Sequence, residues 1–398
     1  MLFSDAFFDS LNCFFDENSQ LFATLFHPHL PSKHYNKKNL FHLQLLSILT
    51  AFPFNQLKLP EKIKEEEIKM STFFKGRHFI TTQDFTNEEI NIMLDLAREL
   101  KIKFAEGVPT PRLLYKTLFL IFFEQSTRTR NSMEAGIGQL GGHGIFLTPD
   151  KMQLSHGETA EDTANILSRF GDGIGIRYCN FGIGNKYLNM LAKHSKAPIM
   201  NLQDDVYHPF QVMADLMTMR ERFGQNLKGL KVGISWAYAE SHLKPLSVPQ
   251  SQILLFTRFG MDVTLAYPEG FDLMPDIVSK AQENAKQHGG KLKISHDMDE
   301  AFVNAHVVIP KNWGGFYVGE TEEEIRAKQA QHKDWICTED KMREVDDRCV
   351  YMHALPADRG NEVVDSVIDG PRSIVLDEAE NRLHTAKAIM SLLMGGRM

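Results

Sequence analysis

The chain reads as an α/β protein with two doubly wound parallel-sheet domains and a cleft between them. Three observations carry that reading. Short apolar runs alternate with amphipathic stretches in two successive series. The helical stretches stop at glycines, among them Gly141, Gly224, Gly260 and Gly289. The runs that read as strands end in polar, chemistry-bearing residues, as expected at the carboxyl edge of an open sheet.

In the first series, Thr117–Phe123 is an apolar run of strand length. Ser132–Leu140 is an amphipathic helix and Gly144–Leu147 a strand. Ser155-His156-Gly157-Glu158 has the form of a capping box, opening a helix to about Phe170. Gly173–Arg177 and Ile199–Leu202 are short strands, and Gln211–Phe223 is a helix. The second series begins with a strand at Lys231–Trp236, then helix Val248–Phe259 and strand Asp262–Ala266. Helix Asp276–His288 and strand Val307–Pro310 follow. Thr321-Glu322-Glu323-Glu324 caps another helix, Val350–His353 is a strand, and a last helix spans about Glu378–Met394. The two series join near Gly224–Gly229. This gives domains over 70–224 and 225–376, with residues 377–398 forming the final helix.

Residues 1–69 show no sustained period. Lys64-Glu65-Glu66 can be encoded by a purine run like a ribosome-binding site just upstream of Met70. The expectation is a translated leader, with Met70 the start of the folded protein; a genuine extension is the alternative.

A net charge of −7 without basic runs argues against nucleic acid as the main partner. Cys13, Cys179, Cys337 and Cys349 lack CxxC spacing, and no histidines stand at zinc-ligand spacing. Reduced cytosolic thiols are expected rather than disulfides or a metal site. No apolar stretch reaches transmembrane length, and the amino terminus lacks a signal peptide's basic region.

Four clusters carry chemistry. Ser126-Thr127-Arg128-Thr129-Arg130 places hydroxyls, fixed positive charge and helix-start N–H groups at a strand end, which suits a phosphate-sized dianion. The plainer alternative is a polar helix cap with two solvated arginines. Arg177 ends the strand Gly173–Arg177. His208-Pro209-Phe210-Gln211 precedes a helix, so that His208 and Gln211 can both face the cleft. His353-Ala354-Leu355-Pro356-Ala357-Asp358-Arg359-Gly360 follows a late strand. Together they supply donors and no evident nucleophile, a set that fits binding and polarising a carbonyl-bearing phosphate by positioning and electrostatics. The strand Lys231–Trp236 is not followed by GxGxxG, which weakens a dinucleotide reading.

These blocks, in order and spacing, make 70–398 resemble the aspartate/ornithine carbamoyltransferases. The resemblance implies that Ser126, Thr127, Arg128 and Thr129 hold the phosphate of carbamoyl phosphate. It assigns Arg177, His208, Gln211 and Arg359 to the carbamoyl and bridging oxygens. Gln153 falls where the family sends a loop into the neighbouring subunit's site, implying a homotrimer with shared sites. The implied reaction is attack by a neutral amine on the carbamoyl carbon, without metal or organic cofactor. Thr129, Arg177 and His208 would stabilise the oxyanion. The last helix is expected to cross back to the first domain.

The acceptor is an amino-acid-like molecule whose identity stays open. Where ornithine enzymes carry Asp-x-x-x-Ser-Met-Gly, this chain has Ile309-Pro310-Lys311-Asn312-Trp313-Gly314-Gly315. Lys311, with Trp313 beside it, would repel an ammonium and favour an acyl, carboxylate or amide group; the alternative is a solvent-facing lysine. Ala354, next to Leu355, replaces the usual cysteine of that block. Ser235–Tyr238 and Lys244-Pro245-Leu246-Ser247-Val248-Pro249-Gln250 resemble the knotted branch, which includes acetylornithine and succinylornithine carbamoyltransferases. The likeness is closer to knotted catabolic-type enzymes, which implies a trefoil knot and admits the reverse reaction. The rival readings are an ornithine, acetylornithine or putrescine enzyme and a non-catalytic anion-binding paralogue.

Overall fold

The computed structural model describes residues 73–395. The expected leader over 1–69 lies outside them.

Two parallel sheets organise the described residues. The first has the order β2-β1-β3-β4, from β1 (Thr117–Phe122), β2 (His143–Leu147), β3 (Gly173–Tyr178) and β4 (Ile199–Asp204). The second runs β7-β6-β5-β8-β9, from β5 (Lys231–Trp236), β6 (Asp262–Ala266), β7 (Lys291–Ser295), β8 (Val307–Lys311) and β9 (Val350–Tyr351). β1 pairs Leu118 with Gly173 and Thr117 with His143. β5 pairs Val232 with both Val263 and Val307. Both sheets are parallel throughout, so every strand delivers its carboxyl end to the same edge of its sheet. Near-continuous apolar runs such as Leu118–Phe122 follow from burial on both faces.

The helices are α1 (Asn87–Ala105), α2 (Thr127–Gln139), α3 (Ala160–Phe170), α4 (Gly184–His194), α5 (Pro209–Phe223), α6 (Ser247–Arg258), α7 (Pro275–His288), α8 (Glu322–Gln329), α9 (Asp365–Ile368) and α10 (Val375–Leu393). Thr86 and Glu89 close a capping box at α1, and Thr321 and Glu324 close the expected one at α8. α6 is buried along its whole length and α5 over Pro209–Arg220, so neither shows a solvent face. They lie between the lobes with α10, which packs on α1, α2 and α5 of the first lobe. Arg258 of α6 ties the lobes by donating to the carbonyls of Thr82 at 2.7 Å and Phe85 at 2.6 Å. Gly233 of β5 is obligatory, since a Cβ there would lie 1.8 Å from the carbonyl oxygen of Ala301.

Several expectations need correction. α2 begins at Thr127 rather than Ser132, with Ser126 as its cap, so Thr127, Arg128 and Thr129 form its first turn. The pattern Ser155–Glu158 is no capping box: Gln153–His156 is a 3-10 turn closed by Gly157 at φ 90°. Thr159 caps α3 instead, accepting from the N–H of Asp162 at 3.1 Å. β4 runs on to Asp204, while β9 ends at Tyr351 rather than His353. α1, α4 and β7 were not expected; β7 is a sheet-edge strand whose residues are mostly exposed or half-buried.

Candidate active site

The carboxyl ends of β1, β3, β4 and β8 and the loop after β9 converge on a cavity of about 260 Å³. The first lobe lends Ser126 to Thr129, Arg177, Gln203, His208 and Gln211. Across from them stand His242, Lys244, Lys311, Ala354, Leu355 and Pro356 of the second lobe, and α10 adds Arg382.

Its floor is the start of α2. Ser126 is extended (φ −159°) and its Oγ accepts from the N–H of Thr129 at 3.3 Å, leaving the first-turn N–H groups of Thr127 and Arg128 outside the helix ladder. Arg382 donates to Thr129 Oγ1 at 2.9 Å and also to Gln211 Oε1. The hydroxyl of Thr129 is therefore an acceptor toward Arg382 and keeps its own proton for the cavity. Arg177 donates to Gln203 Oε1, and Gln203 Nε2 donates to Ser247 Oγ at 2.9 Å. That chain fixes the guanidinium against the second lobe.

His208 caps α5, with Pro209 as the first helical residue. Its backbone N–H donates to Ser251 Oγ at 2.8 Å, and Nδ1 has no partner among the described residues. Burial, then the charges of Arg382, Arg177, Lys311 and Arg128, hold its pKa well below the ordinary imidazole value. The ring is neutral, and four cations oppose any proton it might take up. It can donate a hydrogen bond and polarise, but it is a poor base.

Gln211 Nε2 donates to Asp215 Oδ1 and Glu378 Oε1, both at 2.8 Å. Glu378 also accepts from the backbone N–H of His353 at 2.8 Å, joining α10 to the loop after β9. Burial raises both carboxyls, Glu378 further, with the neighbouring charge of Asp215 as a second cause. In the second lobe Lys244 is paired with buried Glu362 and donates to the carbonyl of Pro356 at 2.9 Å. Leu355, at φ 46°, is placed by its N–H donating to Nδ1 of His353 at 2.8 Å.

The decisive feature is charge. Among the described residues no aspartate or glutamate lines the cavity, and none lies within ion-pair distance of Arg128, Arg177, Lys311 or Arg382. Four basic side chains gathered at a wall without a carboxylate are costly unless an anion joins them.

Ser126, Thr127, Arg128, Thr129, Arg177, His208, Gln211, Lys311, Ala354 and Leu355 meet here, as their sequence contexts suggest. Lys311 faces the cavity rather than solvent. Three residues do not join them. Arg359 is exposed and held at 2.7 Å by Asp365 and at 2.7 Å by Asp369, in a groove beside Arg128. Trp313 is fully buried and donates to the carbonyl of Phe271 at 2.7 Å, which makes it a core residue. Gln153 is exposed on its 3-10 turn, outside this cavity. Sequence reasoning missed Arg382, Lys244, Gln203 and His242. The available signal for Arg382 was an arginine on a helix whose neighbours are mostly apolar.

Comparison with known proteins follows the two lobes. Residues 77–221 match the description "Aspartate/ornithine carbamoyltransferase, carbamoyl-P binding domain" and residues 244–393 match its "Asp/Orn binding domain". The Escherichia coli (strain K12) protein YgeW, provisionally named a carbamoyltransferase, is 38% identical over 360 residues, covering 81% of this chain and 91% of its own. The solved ornithine carbamoyltransferase of Pyrococcus furiosus is 37% identical with a TM-score of 0.73, covering 81% of this chain and 98% of its own. A solved acetylornithine transcarbamylase, complexed with acetylcitrulline, is 33% identical with a TM-score of 0.74, over 80% of this chain and 99% of its own.

Proposed function

The chain belongs to the aspartate/ornithine carbamoyltransferase family, and we propose that it moves a carbamoyl group between carbamoyl phosphate and an amine or amide nitrogen of an amino-acid-like acceptor. The observation that carries this is the cavity above the first turn of α2, lined by Arg128, Arg177, Lys311 and Arg382 and, among the described residues, by no carboxylate. Ser126, Thr127, the free N–H groups of α2 and Arg128 take the phosphate. Thr129, Arg177 and His208 face the carbamoyl oxygen as donors, and Arg382 and Gln211 hold Thr129 and the carbamoyl nitrogen in place.

The reaction follows from that placement. The acceptor nitrogen attacks the carbamoyl carbon, charge builds on the carbonyl oxygen, and the donors stabilise it. The bond from carbon to the bridging oxygen then breaks, and the departing phosphate takes the proton released by the nitrogen. A neutral His208 fits the role of donor. The same residues serve phosphorolysis of a ureido compound in reverse.

The assembly belongs to the same reading: a cytoplasmic homotrimer in which Gln153 of one subunit completes the next subunit's site, with a knot formed around 244–250. The exposure of Gln153 on its turn supports this. Mixing two inactive variants, Gln153→Ala and Arg128→Ala, should restore partial activity if sites are shared.

The direct test incubates the protein with carbamoyl phosphate and a panel of amines and amides, with mass spectrometry of the products and an Arg128→Ala control. A single carbamoylated product absent from the control is expected. Carbamoyl phosphate binding with no product from any acceptor would favour a non-catalytic anion-binding protein.

A further inference from the structure

The charges around the cavity can be counted from its walls. Lys244 is offset by Glu362 behind it. Arg382 is spent on Thr129 and Gln211, and Gln211 in turn donates to the buried carboxyls of Asp215 and Glu378 behind the cavity. Arg128 and Arg177 remain, and their two positive charges match the dianion of an acyl phosphate. Lys311, which shares the field of Glu362 but makes no ion pair among the described residues, is left to face the cavity.

Lys311 is the last residue of β8, a central strand held between β5 and β9, so its position is rigid. It is only 6% exposed, and among the described residues its ammonium has one acceptor, the carbonyl of Asn312 at 3.1 Å. The remaining hydrogens are available to the cavity. Burial and then the charge of Lys244 push its pKa down to about 7, a state that an anion beside it would reverse.

We infer that Lys311 selects the acceptor and that the acceptor is an anion, with a carboxylate for Lys311 near its nucleophilic nitrogen and no additional ammonium group. This rests on the carbamoyltransferase reading and goes beyond it by fixing the charge class of the second substrate. Once carbamoyl phosphate has matched the two arginines, a monocarboxylate brings the site to balance. A diamine would instead carry an ammonium to a wall that offers it no carboxylate. An amide or amine of a small carboxylic acid meets the requirement.

Isothermal titration calorimetry on the full chain tests this. Carbamoyl phosphate is titrated alone first. Oxamate and succinamate, carboxylates bearing an amide nitrogen, are then compared with putrescine and ornithine in protein saturated with inorganic phosphate. The expected result is that a carboxylate amide binds and the diamines do not. Lys311→Met should weaken the carboxylate by about 10- to 100-fold, the loss of one charge-assisted contact, and should weaken carbamoyl phosphate by a clearly smaller factor. Lys311→Glu should abolish carboxylate binding and admit putrescine.

Binding of putrescine or ornithine in preference to both carboxylates, no binding of either carboxylate, or unchanged carboxylate affinity in Lys311→Met would each overturn the inference alone. Absence of carbamoyl phosphate binding to the native protein would overturn the carbamoyltransferase reading and this inference with it. If Lys311→Met does not fold, the selectivity of the native protein decides.

Discussion

Replacing Arg128 by methionine separates binding from stability. This guanidinium has no ion-pair partner among the described residues. Burial, then repulsion from Arg177, lower its pKa, and only Glu378 opposes them. Methionine keeps much of the stem and removes the unpaired charge, so the ligand-free protein should keep its stability to within about 1 kcal/mol and can gain. Binding should behave oppositely. A lost bidentate contact to a phosphate is worth about 3 kcal/mol, roughly 150-fold in Kd. At a carbamoyl phosphate concentration of 100 Kd for the native protein, binding adds about 2.7 kcal/mol to native stability and only about 0.3 kcal/mol to the variant's. For the roughly 320 described residues this is a ligand-induced rise in Tm of about 4 °C against less than about 1 °C. Differential scanning calorimetry with and without ligand reads both quantities. A variant that melts about 3 °C lower when empty yet keeps its full ligand shift would show that Arg128 supports the fold, and would refute the anion-site argument.

Three further outcomes are expected. His208→Asn should lower kcat more than it raises KM, and the native kcat profile should show no inflection near pH 6.5, because the folded imidazole is neutral there. An inflection of one proton near that pH, lost in the variant, would mean His208 titrates in the working range. Buried His353 has its pKa lowered to about 4, chiefly by burial, so its stabilising contribution is complete above about pH 6.5 and declines as pH falls toward 4. The unfolded chain takes up that proton first. Chemical denaturation at pH 5 and 6 should therefore show a slope smaller by up to about 1.4 kcal/mol per pH unit in His353→Gln than in the native protein, and an unchanged slope would contradict the assignment. Gly233→Ala should abolish soluble, ligand-binding protein, since the added carbon would lie 1.8 Å from the Ala301 carbonyl, whereas Gly138→Ala, in open space on α2, should stabilise by about 0.5–1 kcal/mol. Normal expression and melting of the Gly233 variant would show that β5 and the Ala301 turn can separate.

What the sequence disclosed was what local chemistry writes into it. The abrupt change from apolar Phe122 to the hydroxyls and arginines at 126–130 marked a strand end, and the donor types there pointed to an anion. The start of α2 was hidden by the same chemistry: its first turn faces the cavity, so it needs no apolar residues and shows no helical period. At Ser155 the capping pattern was present, but Gly157 turns left-handed and moves the cap to Thr159. Lys311 and Trp313 are two apart and would share a strand face, yet β8 ends at Lys311 and the chain turns, sending one to the cavity and the other to the core. Arg359 shows the limit of motif reasoning, because the two aspartates that hold it, Asp365 and Asp369, follow it in the chain and neither belongs to the motif. Arg382 depends on a packing relation across 253 residues to Thr129, which no local pattern encodes.

That relation has a consequence for biosynthesis. α10 covers α1, α2 and α5, its Arg382 lines the cavity, and its Glu378 holds Gln211 from behind. A ribosome that has finished the first lobe still has the whole second lobe to make before α10 exists. Throughout that interval the apolar faces awaiting α10 remain uncovered, and the strand ends hold an incomplete cradle. The complete cavity therefore exists only when residues 375–393 have emerged and docked, and a nascent chain stalled earlier is an open, association-prone lobe for chaperones to shield.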